Sequence, residues 1–215
     1  MSNESAVVPV TGVMNSATAV YEAIEQGYEP YFLHTSYGKR IEDKAYECAK
    51  ALAEEADAGD FLHIVTGHLS QIGTSSLTDE EMDVADADME SDEIPTSYVP
   101  FRDANLSSMA TSYAEATGSE MLFIGARSEG FSGYPDCRPA FFDAFQNVID
   151  VGTKPETEIA ERGSGLGVPY EMTWSCYRDE EPACGTCDAC AFRLEAFRNA
   201  GSRDPVAYAE RPEFS

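Results

Sequence analysis

Positive charge is what this chain has least of. Its 215 residues include 14 Lys and Arg, only four of them Lys, against 39 Asp and Glu, for a formal charge of −25. A dispersed acidic surface repels nucleic-acid phosphates, which excludes a role in coating DNA or RNA. Long apolar runs are missing too, so no segment reads as a membrane span. Met1 to Ser5 has no basic region leading into an apolar stretch, so no secretory signal is read and a cytoplasmic protein is expected. High net charge often means disorder, but 43% hydrophobic content with 11 Tyr and 11 Phe argues against it. The acidity fits a high-salt cytoplasm instead, where self-repulsion is screened.

What is present alternates strand and helix. Short apolar runs at Ala6–Val10, Pro30–Thr35, Phe61–Val65 and Glu120–Gly125 read as buried strands. Helical spacing covers Ser16–Gln26, Ile41–Ala58, Asn105–Thr117, Pro139–Asp150 and Asp188–Ala200, with Gly27, Gly59 and Gly118 as stops. Residues 67–95 are acidic and aperiodic and read as a loop or insertion. Arg127–Asp136, rich in Gly, Ser and Pro, reads as a functional loop. Strands separated by helices predict an α/β fold with a doubly wound parallel sheet, whose ligand sits beyond the carboxyl ends of the strands. The expected division is an α/β domain over 1–165 and a small module over 166–215.

Six cysteines in a cytoplasmic chain suggest metal or catalysis before disulfides. Four of them form a Cys-x7-Cys-x2-Cys-x2-Cys cluster at Cys176, Cys184, Cys187 and Cys190. Two Cys-x2-Cys turns overlap at Cys187, with Gly185 for freedom in the turn. This spacing predicts one zinc held by four thiolates, a closed and therefore structural site. Free thiols or a redox pair are the alternative. Cys176 is expected on a strand-like segment, Met172–Tyr177. Near the N-terminus, Val10-Thr11-Gly12-Val13-Met14-Asn15-Ser16 joins strand to helix, where backbone N–H groups can hold a phosphate. Ser16 suits an N-cap or a phosphate contact. Taken alone, a plain N-cap turn is the better explanation of this segment.

Several motifs carry a family resemblance that spans nearly the whole chain. Gly167-Val168-Pro169-Tyr170-Glu171 and Thr173-Trp174-Ser175-Cys176-Tyr177 precede the remaining cysteines. Ser132-Gly133-Tyr134-Pro135-Asp136-Cys137-Arg138-Pro139 comes earlier. Ser36-Tyr37-Gly38 with Arg40, and Tyr98-Val99-Pro100 with Arg102, occupy matching places in order. Together they resemble the 7-cyano-7-deazaguanine synthase (QueC) family, and the acidic form is similar to a haloarchaeal member.

The resemblance implies an adenine nucleotide α-hydrolase-like fold with an ATP pyrophosphatase loop and a zinc bound by the four cysteines. It implies an ATP-dependent C–N ligase that takes ATP with Mg²⁺, ammonia and 7-carboxy-7-deazaguanine to the 7-cyano compound, for archaeosine or queuosine in tRNA. A homodimer with no direct nucleic-acid contact is implied. By resemblance the nucleotide loop is Val10, Thr11, Gly12, Val13, Met14, Asn15, Ser16, Ala17 and Thr18. Tyr37, Arg102, Tyr134, Asp136 and Arg138 would meet the substrate. Ser16, Arg102 and Arg138 are the candidate catalytic residues, because a hydroxyl and guanidinium groups can hold phosphate or carboxylate. Asp136 could accept hydrogen bonds from a guanine-like edge. For each Arg the alternative is an ion pair on an acidic surface.

The chain departs from the family pattern in three places. In the loop, Val13 stands for a glycine and Asn15 for an aspartate, and Pro9 sits in the leading strand. Asp103 replaces the usual Asn after Arg102. The stretch from Lys154 to Gly167 is short, with Thr157–Gly163 read as the remnant of a helix where the family has a strand, a helix and a Ser/Thr-Lys pair. These departures support a second reading, a homologue that keeps fold and zinc but only binds a deazapurine or a protein. A third reading, a related pyrophosphatase such as a tRNA thiolation enzyme, fits the acidic surface and the Gly-Tyr-Pro-Asp-Cys-Arg signature poorly.

Overall fold

A computed structural model describes residues 4–88, 93–126, 134–154, 158–161, 168–178 and 181–212. Its centre is a parallel sheet in the order β3-β2-β1-β4-β5. The strands are β1 (Ser5–Pro9), β2 (Glu29–Ser36), β3 (Asp60–Val65), β4 (Met121–Ile124) and β5 (Glu158–Glu161). Six α-helices accompany them among the described residues: α1 (Met14–Glu25), α2 (Glu42–Glu55), α3 (His68–Ile72), α4 (Arg102–Thr117), α5 (Pro139–Gly152) and α6 (Asp188–Asn199).

β1 shows why the sheet is covered on both faces. Its side chains alternate, and both sets are apolar. Ala6, Val8 and Val10 pack with Phe32 against Ala17, Val20 and Ala23 of α1 and Ala49 and Leu52 of α2. Val7 points the other way, with Leu33 and Leu122, against Ala110 and Ala114 of α4 and Ile149 of α5. Small alanines on α1, α2 and α4 let the helices lie close to the sheet. Pro9 is accommodated at the end of the strand. Val10 N–H donates to Leu33 O at 2.8 Å, so by alternation the nitrogen of Pro9 faces the β4 side. There the ladder includes only Ala6 and Val7, and no bond is lost.

The chain runs outward from β1 to β2 and β3, then returns to place β4 on the other flank of β1. This reversal opens a crevice at the carboxyl ends of β1 and β4. Gly125, directly after β4, borders it. A Cβ there would lie 2.4 Å from Asn15 O, so only glycine lets β4 approach the start of α1 so closely.

Two expectations need correction. Residues 158–161 are not the remnant of a helix. They form β5, in register with β4 from Met121↔Glu158 to Ile124↔Glu161. The open edge of β4 offers backbone partners that outweigh local helix preference. Residues 157, 162 and 163 of that expected helix lie outside the described residues. Met172–Tyr177 is not a strand either. A 3-10 turn over Tyr170–Met172 leads into irregular chain whose Trp174 N–H donates to Gly12 O at 2.9 Å. The 67–95 segment begins with α3 and then follows a non-repetitive path. Arg40 pins it, donating to the carbonyls of Ser76 (2.7 Å), Asp79 (2.9 Å), Glu80 (3.1 Å) and Met82.

Candidate active site and metal centre

The crevice at the strand ends is a cleft of about 740 Å³. One wall is the turn Thr11–Ser16 with Thr18. The others come from Tyr37 and Lys39 after β2, Arg102 and Leu106 of α4, Gly125 after β4, Tyr134, and Phe192 and Arg193 of α6. Val10 and Ala17, both fully buried, turn away from it into the core, and Gly12 faces α2. Gly12 has φ +77°, and a Cβ on it would meet Ala45 O at 2.4 Å, so glycine is required here on two counts.

Val13 is the N-cap of α1 with φ −102° and ψ 166°, ordinary extended backbone. Val13 is thus unstrained where the family has a glycine, and it adds a side chain to the cleft lining. Ser16 is not the cap. It lies in the first turn of α1, where its hydroxyl donates to Val13 O at 2.9 Å and accepts from Thr11 N–H at 3.2 Å, closing the turn. No side chain caps α1, so first-turn N–H groups remain available for an anion. Thr18 Oγ1 donates to Met14 O at 3.0 Å and lies 3.1 Å from the Tyr170 hydroxyl, which ties α1 to the C-terminal segment.

Arg102 faces this turn across the cleft. Its Nε donates to Asp103 Oδ1 at 2.8 Å and its guanidinium lies 5.8 Å from the ring centre of Tyr134. Burial works against its charge, but Asp103, Tyr37 and Tyr134 outweigh that and hold it protonated. The carboxylate of Asp103 does not stand free against a phosphate. Its second oxygen accepts the Cys137 thiol at 2.9 Å, and its N–H donates to Asp136 Oδ2 at 2.8 Å. Asp136 is buried and raised above the usual carboxylate range by desolvation and by Asp103. Arg138 is exposed at the N-cap of α5. Neither Asp136 nor Arg138 lines the cleft, whereas Tyr37, Arg102 and Tyr134 do. Ser132 and Gly133 lie outside the described residues. Lys39 is a cleft residue that the sequence reading passed over. Its one signal was its place three residues after β2, in a chain with four lysines.

The four cysteines converge. Their sulfurs all lie within 4.8 Å of one another, and Cys184 and Cys190 are 3.9 Å apart. Tetrahedral zinc with Zn–S near 2.3 Å needs sulfurs roughly 3.8 Å apart. Cys187 caps α6 and Cys190 lies on its first turn. Backbone N–H groups already point at the sulfurs: Cys184 N–H at Cys176 Sγ (3.3 Å), Cys187 N–H at Cys184 Sγ (3.4 Å) and Tyr177 N–H at Cys187 Sγ (3.5 Å). Such donors stabilise thiolates. Gly185, with φ +87°, passes so close to Glu210 O that no side chain fits. Among these thiols Cys187 is pushed up to about 12, first by its hydrogen bond with Cys176. The donor set therefore fits a divalent, thiophilic ion.

Arg193 joins this centre to the cleft. Fully buried, it donates through Nε to Asp204 Oδ2 (2.8 Å), through NH2 to Asp204 Oδ1 (3.0 Å) and Tyr170 O (2.8 Å), and through NH1 to Thr173 Oγ1 (2.6 Å).

Comparison with known proteins gives a consistent set of matches. The family model described as queuosine biosynthesis protein QueC matches residues 5–201. A 7-cyano-7-deazaguanine synthase of Haloarcula marismortui is 67% identical over 225 residues, covering 98% of this chain and 97% of that protein. The one from Halobacterium salinarum is 64% identical over 229 residues and 100% of both chains. That alignment is longer than the 215 residues here, so the relative carries positions this chain lacks. A synthase of Chlorobium phaeobacteroides is 47% identical over 223 residues, covering 97% of this chain and 99% of that one. A solved 4-thiouridine synthetase–RNA complex with bound ATP overlaps 79% of this chain and 42% of that chain at 14% identity and a TM-score of 0.48, too distant to bear on function.

Proposed function

Because the chain belongs to the QueC family, we propose that it is an ATP-dependent C–N ligase that converts 7-carboxy-7-deazaguanine and ammonia to 7-cyano-7-deazaguanine. The observation that carries this reading is the cleft itself. It sets an uncapped helix start opposite a charged arginine, at the carboxyl ends of β1 and β4.

The reaction needs the substrate carboxylate and the α-phosphate of ATP brought together. The first turn of α1, from Thr11 to Ser16, would take the phosphates on its free N–H groups. Arg102, held at Nε by Asp103, presents its remaining N–H groups to the carboxylate or to the phosphate attacked by it. Pyrophosphate leaves as the acyl adenylate forms, ammonia displaces AMP to give the amide, and a second activation removes the amide oxygen to give the nitrile. Tyr37 and Tyr134 would flank the deazapurine, since both border the cleft and Tyr134 also lies against Arg102. Mg²⁺ bound with ATP would offset charge on the leaving pyrophosphate. Asn15 offers a neutral oxygen to it where an aspartate would offer a charged one.

Zinc is the metal this reading places in the cysteine centre. Four thiolates leave no open position, so its role is to fix α6 and the 173–178 segment that wall the cleft. Ammonia as the nitrogen source and a homodimeric assembly belong to the same reading. So does the division into an α/β domain over 1–165 and a zinc module over 166–215. Among the described residues, no helix is long and apolar enough to cross a membrane.

The test is to incubate the zinc-loaded protein in molar KCl with ATP, Mg²⁺, ammonia and 7-carboxy-7-deazaguanine, and to measure AMP and nitrile. Both products are expected. A folded, metal-replete sample that forms no AMP would overturn the ligase assignment.

A further inference from the structure

The cleft holds a second cation, Lys39, that the family motifs do not mark. From its geometry we infer that Lys39 contacts the phosphate of the nucleotide and of the adenylated intermediate, opposite Arg102.

Its backbone is held from both sides. Before it, Tyr37 is buried, and Gly38 turns with φ +84° while its N–H donates to Glu42 Oε2 at 2.5 Å. After it, Arg40 is anchored on the carbonyls of Ser76, Asp79 and Glu80. The Lys39 side chain lies along the cleft wall. Its Nζ reaches 3.3 Å from Thr11 O, beside the turn that opens α1, and lies 6.0 Å from the ring centre of Tyr37.

The charge environment is the unusual part. Acidic side chains far outnumber basic ones in this chain. Lys44 pairs with Glu181 at 3.2 Å, and Lys154, exposed, lies 3.9 Å from Glu115. Lys39 forms no salt bridge among the described residues, and its Nζ donates to the neutral carbonyl of Thr11. The charges that act on it are Arg102 of α4, which repels it, and Glu42 of α2, which favours its charged form. Cys48 of α2, its thiol raised by burial, and His34 of β2, pushed down to about 4 by burial, then by Lys39, are neutral at pH 7. Burial, then Arg102, push the Lys39 ammonium down to about 8. Two cations facing one cleft repel until an anion lies between them. The phosphate of ATP, shared with the acyl adenylate, is the anion of this reaction that fits beside Thr11. This inference rests on the ligase reading above and adds a residue to it.

ATP binding by equilibrium dialysis tests it, using full-length zinc-loaded protein in molar KCl between pH 7 and 9. Lys39→Met should weaken ATP binding about 10- to 100-fold at pH 7, the range for one lost charge-assisted hydrogen bond. Wild-type affinity should fall as pH rises through about 8, where the free ammonium loses its proton. Lys39→Arg should keep its affinity to pH 9, because guanidinium does not titrate there. Lys39→Met binding within twofold of wild type, or a Lys39→Arg profile identical to wild type, would overturn the inference. The second comparison serves even if Lys39→Met fails to fold. A wild type that forms AMP while Lys39→Met binds normally removes Lys39 alone. A wild type that neither binds ATP nor forms AMP removes the ligase reading with it.

Discussion

Replacing Asp204 by Ala should be among the most destabilising single changes outside the metal centre. Asp204 and Arg193 have side-chain exposures of 0% and 2%, so solvent screens little of their attraction. Asp204 also accepts the Tyr208 hydroxyl at 2.6 Å and Val206 N–H at 3.1 Å. Truncation removes all of these acceptors together and leaves a buried guanidinium with Thr173 and Tyr170 alone. Breaking a buried pair from one side costs about 3–5 kcal/mol. For a domain of this size that lowers Tm by about 6–20 °C. The dependence on pH follows from the carboxyl. Burial alone would raise it, but the hydrogen bond and charge of Arg193 prevail and hold it below the usual range. A depressed folded pKa contributes stability above the unfolded value, near 3.9, and loses it as pH falls through the folded value. The gap between wild type and Asp204→Ala should thus be full at pH 7 and shrink below about pH 4. Thermal melts followed by circular dichroism in molar KCl read both effects. A Tm within about 3 °C of wild type at pH 7 would refute the reasoning.

Cys187→Ser should lower bound zinc, measured by plasma emission, well below the wild-type content and lower Tm with it, whereas Cys48→Ser should leave the metal in place. Gly12→Ala forces a side chain into positive φ and against Ala45 O; it should cost at least about 1–3 kcal/mol in chemical denaturation and impair ATP binding with zinc content unchanged. Asn15→Asp should raise the rate of AMP formation and its Mg²⁺ affinity, while Val13→Gly adds little because Val13 is already relaxed; the reverse ranking in a steady-state assay would count against the loop geometry. Denaturation midpoints should rise with KCl up to molar concentrations, and equal stability at low and high salt would remove the halophilic explanation of the acidic surface.

What could be seen in the sequence was what local patterns encode. The strands and helices follow apolar periodicity and glycine stops, so Glu42–Glu55 and Asp60–Val65 appear in sequence within a few residues of their limits. The four cysteines were legible because a Cys-x2-Cys turn brings its thiols together whatever the rest of the chain does. β5 was not, because Glu158–Glu161 gains its strand pairing from the distant edge of β4 rather than from its own residues. Lys39 reads as an ordinary solvated lysine until Arg102 is folded opposite it. Arg193 likewise reads as the wet face of a helix, and only Asp204, eleven residues on, reveals a buried cation. Asp103, where the family has Asn, is engaged by both Arg102 and the Cys137 thiol, which only the fold reveals.

The bond from Trp174 N–H to Gly12 O has a consequence for how the protein is made. Synthesis delivers Gly12 early and Trp174 late, and the cleft draws walls from Pro9 through Ser202. A nascent chain can pair β1, β2 and β4 while still attached to the ribosome, but it has no enclosed cleft until α6 has emerged. Closing the cleft therefore requires α6 in place, because Phe192, Arg193, Ala196 and Phe197 complete its wall.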